Sequence, residues 1–141
     1  MKRSAHTICV VDDHEASRYA AVKSLQALGF KTVEAETGQD AILAAERAVS
    51  AMLLDVNLPD MNGVKVCQII KSKPGPKLPV VLMTAVYVDD LHRSAGMSAG
   101  ADAYLMSPVS KQQLGAVFDK LLGVDAAVLD GVSQIQLAIA A

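Results

Sequence analysis

Two apolar runs in the chain stop on acids. Ile8-Cys9-Val10-Val11 is followed at once by Asp12-Asp13, and Ala51-Met52-Leu53-Leu54 by Asp55. A buried strand that ends in a carboxylate delivers charge to the rim of a sheet. In open parallel sheets, the rim at the strands' carboxyl ends is where ligands bind. Three carboxylates gathered there would repel one another and hold raised pKa values unless a cation joined them. Such a group suits a divalent metal ion, with an aspartate beside the ion acting as a nucleophile toward phosphorus. An acid after a strand can equally cap the helix that follows, and Asp13 alone could do that. A doublet plus a third acid, each directly after a fully apolar run, is the stronger signal.

The elements that must position these acids alternate along the chain. Thr7 to Val11 is a short buried strand. Ala16, Tyr19, Ala20, Val22, Lys23, Leu25 and Leu28 recur at helical spacing, and Gly29 is the expected stop. Lys31 to Ala35 alternates as a strand with Val33 inward. Thr37 caps a helix predicted from Gln39 to about Val49, with Ala41, Ile42, Ala45 and Ala48 on one face. Ala51 to Asp55 is the next strand, followed by a turn over residues 58–63 and a helix carrying Val64, Val66, Cys67 and Ile70. Residues 73–77 form a stiff, exposed Pro/Gly loop. Pro79 to Met83 is a fourth strand ending at Thr84, and residues 89–99 form a weak helix containing Gly96. Ala103-Tyr104-Leu105 is a fifth strand, and Ser110 with Gln113 forms a capping box for a helix through Leu122. Five alternations of strand and helix imply an α/β domain with a parallel sheet covered on both faces.

Composition narrows the function classes. The chain has 141 residues, enough for one domain with a real core. Hydrophobic residues make up 52% and Trp is absent, so the core is aliphatic. Net charge is -2, with no cluster of Lys and Arg, which argues against a nucleic-acid partner. No stretch approaches membrane-spanning length, and the apolar run after Met1-Lys2-Arg3 is too short for an export signal. Cys9 and Cys67 sit inside apolar patterns without disulfide or zinc spacing, consistent with a reducing, cytoplasmic setting.

Four segments together resemble a known family. They are Val10-Val11-Asp12-Asp13, the block from Asp55 through Asn57-Leu58-Pro59-Asp60-Met61-Asn62-Gly63, Met83-Thr84-Ala85, and Gly100 to Leu105 with Pro108. The chain resembles the response-regulator receiver domain, the phosphoaspartate module of two-component signalling, over roughly residues 6–122. The resemblance implies a flavodoxin-like, doubly wound sheet of order 2-1-3-4-5. It implies Asp55 as phosphoacceptor. Asp12, Asp13, Asp55 and the backbone carbonyl of Asn57 would be the Mg²⁺ ligands, Thr84 the switch hydroxyl and Tyr104 the switch aromatic. The partners implied are a histidine kinase or histidine phosphotransfer protein and a downstream protein. A receiver is a signalling module and catalyses no turnover beyond its own phosphotransfer and dephosphorylation.

One position departs from the pattern. The family has a lysine directly before the proline of the loop after the fifth strand, and here Ser107 precedes Pro108. A hydroxyl replaces a point charge that would pair with a phosphoryl group. Lys111 is the nearest candidate substitute, ahead of Arg18 and Lys23. The alternative function is therefore a degenerate receiver that binds partners without phosphorylation. Two enzymatic readings on similar folds fit poorly. A haloacid-dehalogenase-like phosphatase needs two aspartates separated by one residue, and a flavodoxin-like phosphate binder needs Ser, Thr and Gly donors. His14 reads as an exposed loop residue, and His6 and His92 lack partners at metal-ligand spacing. Asp89 and Asp90 read as helix-start charges.

The domain expectation is a receiver over residues 1–122 and an apolar tail over 123–141, forming an extra helix or a dimer contact. Val124, Val128, Val132, Ile135 and Ile139 sit at helical spacing, while Ile135, Leu137 and Ile139 alternate as in a strand. No output domain fits in the tail, so a stand-alone receiver or one excised from a hybrid kinase is expected.

Overall fold

The structure, a computed structural model, describes residues 2–85 and 90–124, with side chains at 90–93 outside the description. Asp89 and residues 125–141 fall outside it, and with them most of the tail expectation and the reading of Asp89, while Asp90 is the first residue of a helix. The elements are β1 (Thr7–Val11), α1 (Glu15–Ala27), β2 (Lys31–Ala35), α2 (Gly38–Ala45) and β3 (Ala51–Asp55). Then come α3 (Gly63–Ser72), β4 (Val80–Thr84), α4 (Asp90–Ser98), β5 (Ala103–Met106) and α5 (Lys111–Leu122). All strand pairs are parallel, and their order is β2-β1-β3-β4-β5. This is the doubly wound, flavodoxin-like sheet expected from the sequence.

Each central strand is buried on both faces, and alternate residues feed two cores. Ile8, Val10, Leu53, Val81 and Met83 pack with Val22 and Leu25 of α1 and with Leu114 and Phe118 of α5. Cys9, Val11, Met52, Leu54, Val80 and Leu82 pack with Ala41 of α2 and with Val66, Cys67 and Ile70 of α3. The two cysteines are free and buried, and burial pushes their thiols up to about 12 and about 11. Such thiols are inert at neutral pH.

Local signals explain most boundaries. Gly29 holds φ +103 just past α1, a conformation costly for any residue with a Cβ. The Thr37 hydroxyl accepts from Asp40 N at 3.1 Å, and Ser110 with Gln113 closes the capping box of α5. Lys77 Nζ donates to the carbonyls of Lys71 and Lys73 at 2.8 and 2.9 Å, satisfying the C-terminal end of α3.

Three expectations need correction. α2 ends at Ala45 rather than near Val49, so Ala48 is not on its face. Val33 lies on the same sheet face as Cys9 and Ala35 but is 42% exposed, because β2 is the sheet edge and the short α2 leaves it uncovered. On α1 the buried face is Ala21, Val22 and Leu25. Ala16, Tyr19 and Ala20 lie in solvent, Tyr19 with its ring near Lys23 Nζ. Ala16, Tyr19, Ala20 and Lys23 share the helix face opposite Ala21, Val22 and Leu25, so they face solvent.

Outside the two cores, an arginine at the start of the chain ties three elements. Arg3 donates to both oxygens of Asp119 on α5, at 2.9 and 2.6 Å, and to Leu28 O at 3.1 Å. Asp119 is almost fully buried, and this fork compensates its charge.

Candidate functional site

Parallel register brings the acids together. Val11 pairs with Leu54, which sets Asp12 and Asp55 one residue further along neighbouring strands. Asp55 pairs with Met83, and Thr84 pairs with Met106. Asp12, Asp55 and Thr84 therefore stand on one rim, at the carboxyl ends of β1, β3 and β4. Tyr104 lies on β5 opposite Leu82, half-buried against the α2–α3 core.

The three predicted acids and His14 each offer one ligand atom within 4.8 Å of the others. Asp12 is buried, Asp55 nearly so, and Asp13 and His14 are open to solvent. His14 Nδ1 lies 3.3 Å from Asp13 and 3.5 Å from Asp12, so the histidine read as a bystander joins the cluster. Burial pushes the Asp55 carboxyl up to about 6, the nearby Asp12 and Asp13 charges add to the rise, and the Asn57 N–H opposes it. That N–H donates to Asp55 Oδ1 at 3.0 Å. A crowded, partly desolvated carboxylate set with only oxygen donors and one imidazole suits a hard divalent cation.

The loop after β3 is built backward onto this centre. A Cβ on Gly63 would lie 2.3 Å from the Asp55 carbonyl oxygen and 2.8 Å from Val56 Cα, so only glycine lets α3 start there. Gly63 N donates to Val56 O at 2.7 Å. Asp60 accepts from Gly38 N and Gln39 N at 2.7 and 3.0 Å, capping α2 from another loop, and these bonds hold its carboxyl below the usual range. A cleft of about 390 Å³ opens beside the acids, lined by Asp13 and residues 56–62.

Ser107 N donates to Thr84 O at 2.6 Å, which seats the loop after β5 against the end of β4. Among the described residues no lysine or arginine side chain pairs with the carboxylates of Asp12, Asp13 or Asp55. Lys111 is exposed at the start of α5. Arg18 Nη1 donates to the main-chain oxygen of Asp12 and lies 3.4 Å from Glu36, while its Nε donates to Glu34 at 2.8 Å.

Three contributors escaped the sequence pattern. Ser17 donates to Asp12 Oδ2 from the first turn of α1. Gly96 leaves room for Tyr104, since a Cβ there would meet two ring carbons at 2.8 and 2.9 Å. His14 was named but not placed with the acids. A glycine inside an otherwise helical pattern was the one visible signal, for Gly96.

The sheet order and the acid rim define a flavodoxin-like α/β domain whose ligand cleft is anionic rather than phosphate-cradling. The family model described as "Response regulator receiver domain" matches residues 8–119. Response regulator MprA of Mycolicibacterium vanbaalenii is 38% identical over 117 residues, covering 82% of this chain and 49% of the relative. MprA of Mycobacterium bovis is 37% identical over 118 residues. The chain spans about half the length of the curated relatives it matches. Among solved structures, the BeF3-activated receiver domain of DrrB is 33% identical with a TM-score of 0.75, covering 87% of this chain and 99% of that one. DrrB is a Thermotoga maritima protein. The receiver domain of a Pseudomonas aeruginosa sensor histidine kinase, solved with magnesium coordinated in its active-site cleft, is 25% identical. Its TM-score is 0.76, covering 84% of this chain and 98% of that one. The chain belongs to the response regulator receiver domain family, the signalling modules of two-component systems.

Proposed function

We propose that the domain accepts a phosphoryl group on Asp55 from a histidine kinase or a histidine phosphotransfer protein. The observation that carries this reading is the convergence of the Asp12, Asp13 and Asp55 ligand atoms within 4.8 Å at the sheet rim. Mg²⁺, held by the three acids and the Asn57 carbonyl, would supply the positive charge that lets an anionic nucleophile meet an anionic phosphoryl group. The donor approaches over the cleft beside Asp13 and residues 56–62. An Asp55 carboxylate oxygen forms the new P–O bond as the P–N bond of the donor's phosphohistidine breaks, and the imidazole leaves protonated from solvent. The Asn57 N–H holds the other oxygen, so the attacking one is presented in a fixed direction. The added charge then draws the Thr84 hydroxyl inward, Tyr104 follows, and the α4–β5 face changes its partner preference.

A second reading rests on Ser107. With a hydroxyl in the lysine position and no cationic side chain paired to the acids among the described residues, the domain would bind partners without phosphorylation. One experiment separates the two. The chain is incubated with acetyl phosphate and Mg²⁺, and its intact mass is measured. A single phosphoryl adduct that is lost in Asp55→Asn supports phosphoacceptance. No adduct under conditions where Mg²⁺ binds favours the degenerate receiver.

A further inference from the structure

We propose that Ser17 is a positioning residue for the metal site, orienting the Asp12 carboxylate toward Asp13 and Asp55. The inference rests on the metal reading above and adds a residue to it. Asp12 lies just past β1; its N–H donates to Ala35 O at 3.1 Å, a main-chain bond that leaves the carboxylate free to turn, yet the residue is 1% exposed. Its carboxylate offers about four lone-pair sites. His14 N takes Oδ1 at 2.9 Å, a local bond that any residue at position 14 except proline would make. Ser17 Oγ takes Oδ2, and this bond depends on the serine side chain.

The hydroxyl has one proton and two acceptors within reach. His14 O lies 3.3 Å away, while the contact to the carboxylate is much shorter and is charge-assisted. The proton therefore goes to Asp12. The next residue holds the same aspartate from behind. Arg18 Nη1 donates to Asp12 O at 2.9 Å, and Arg18 Nε donates to Glu34 at 2.8 Å, anchoring the clamp to β2. Consecutive residues of one helical turn thus hold the carboxylate and the main-chain oxygen of one acid.

The need for a clamp follows from the electrostatics. Without a cation, Asp12 and Asp55 repel each other across the rim, and a free Asp12 carboxylate would rotate to lower that repulsion. Ser17 opposes the rotation and still leaves lone pairs for the ion or its waters. Hydrogen bonds of this kind, one shell out from the ion, are worth 10–100-fold in metal affinity.

The test is a calorimetric Mg²⁺ titration of the full chain, the Ser17→Ala variant and the Ser17→Thr variant, with thermal unfolding of each in EDTA. Ser17→Ala is expected to weaken Mg²⁺ binding by about 10–100-fold, with Ser17→Thr restoring most of it and the unfolding midpoints in EDTA staying together. Wild-type affinity in Ser17→Ala overturns the proposal alone. Weakened binding that tracks a lowered midpoint and is not rescued by Thr also overturns it, because the hydroxyl is then a structural cap of α1. A wild-type chain that takes up no Mg²⁺ overturns the metal reading and this proposal with it.

Discussion

Removing the charge of Asp55 should stabilise the metal-free protein at neutral pH. Burial and the neighbouring acids lift this carboxyl from 3.8 to about 6. The folded state therefore binds a proton more tightly than the unfolded one. Between about pH 4 and 6 the native state carries more protons at this site, so stability falls as pH rises through that window. Above it the full penalty of a buried carboxylate is present. At about 1.36 kcal/mol for each tenfold change in proton affinity, the ceiling is about 3 kcal/mol. Water at the open rim reduces this to about 1–2 kcal/mol. Asp55→Asn keeps the shape and the acceptor for Asn57 N–H while discarding the charge. Urea unfolding in EDTA at pH 7 should show the variant more stable by about that amount, and the gap should narrow at pH 4.5, where wild-type Asp55 is largely neutral. Added Mg²⁺ should stabilise the wild type by mass action and the variant much less. A variant no more stable than wild type at pH 7 in EDTA would refute the electrostatic account of the rim.

Two further perturbations probe other parts of the fold. Arg3→Met keeps a chain near Phe30 but leaves Asp119 buried and uncompensated, which should cost about 3 kcal/mol in urea unfolding, with Asp119→Asn recovering part of it; a loss below about 1 kcal/mol would show the fork to be dispensable. Ser107→Lys should raise the yield of phosphoryl adduct with acetyl phosphate and Mg²⁺, read by intact mass, and an unchanged yield would mean that the missing cation does not limit the reaction.

The topology and the acids were legible because both are written locally. Strands such as 51–55 are apolar throughout, which marks burial on two faces, and each stops on the residue that reaches the rim. The cradle around the acids was not legible because it is made between elements. Asp60 caps a helix more than twenty residues earlier in the chain, and the close packing of Gly63 on Asp55 exists only after α3 has folded back onto β3. Ser17 sits five residues beyond the acid it holds, a spacing that no helix or strand period singles out. Edge effects misled in the opposite sense. Val33 has the right period for an inward residue, but its cover depends on where α2 ends, and Glu46 gives no strong stop signal.

The backbone at the lysine position bears on how Ser107 should be read. Ser107 N donates to Thr84 O at 2.6 Å, so the main chain at this position holds the loop after β5 against the end of β4 whatever side chain it carries. Positioning of the loop and provision of charge are thus separate tasks, and this chain keeps the first. The acids, their hydrogen bonds and the loop geometry are all in place, and among the described residues no cationic side chain pairs with the acids. Burial first, and the nearby Asp12 and Asp13 charges after it, make an ionised Asp55 costly until a cation joins the group. A rim that is costly without a metal ion fits a site still used for one. On the proposed reading, Ser107 would then change how the phosphoryl group is held, which the Ser107→Lys measurement tests directly.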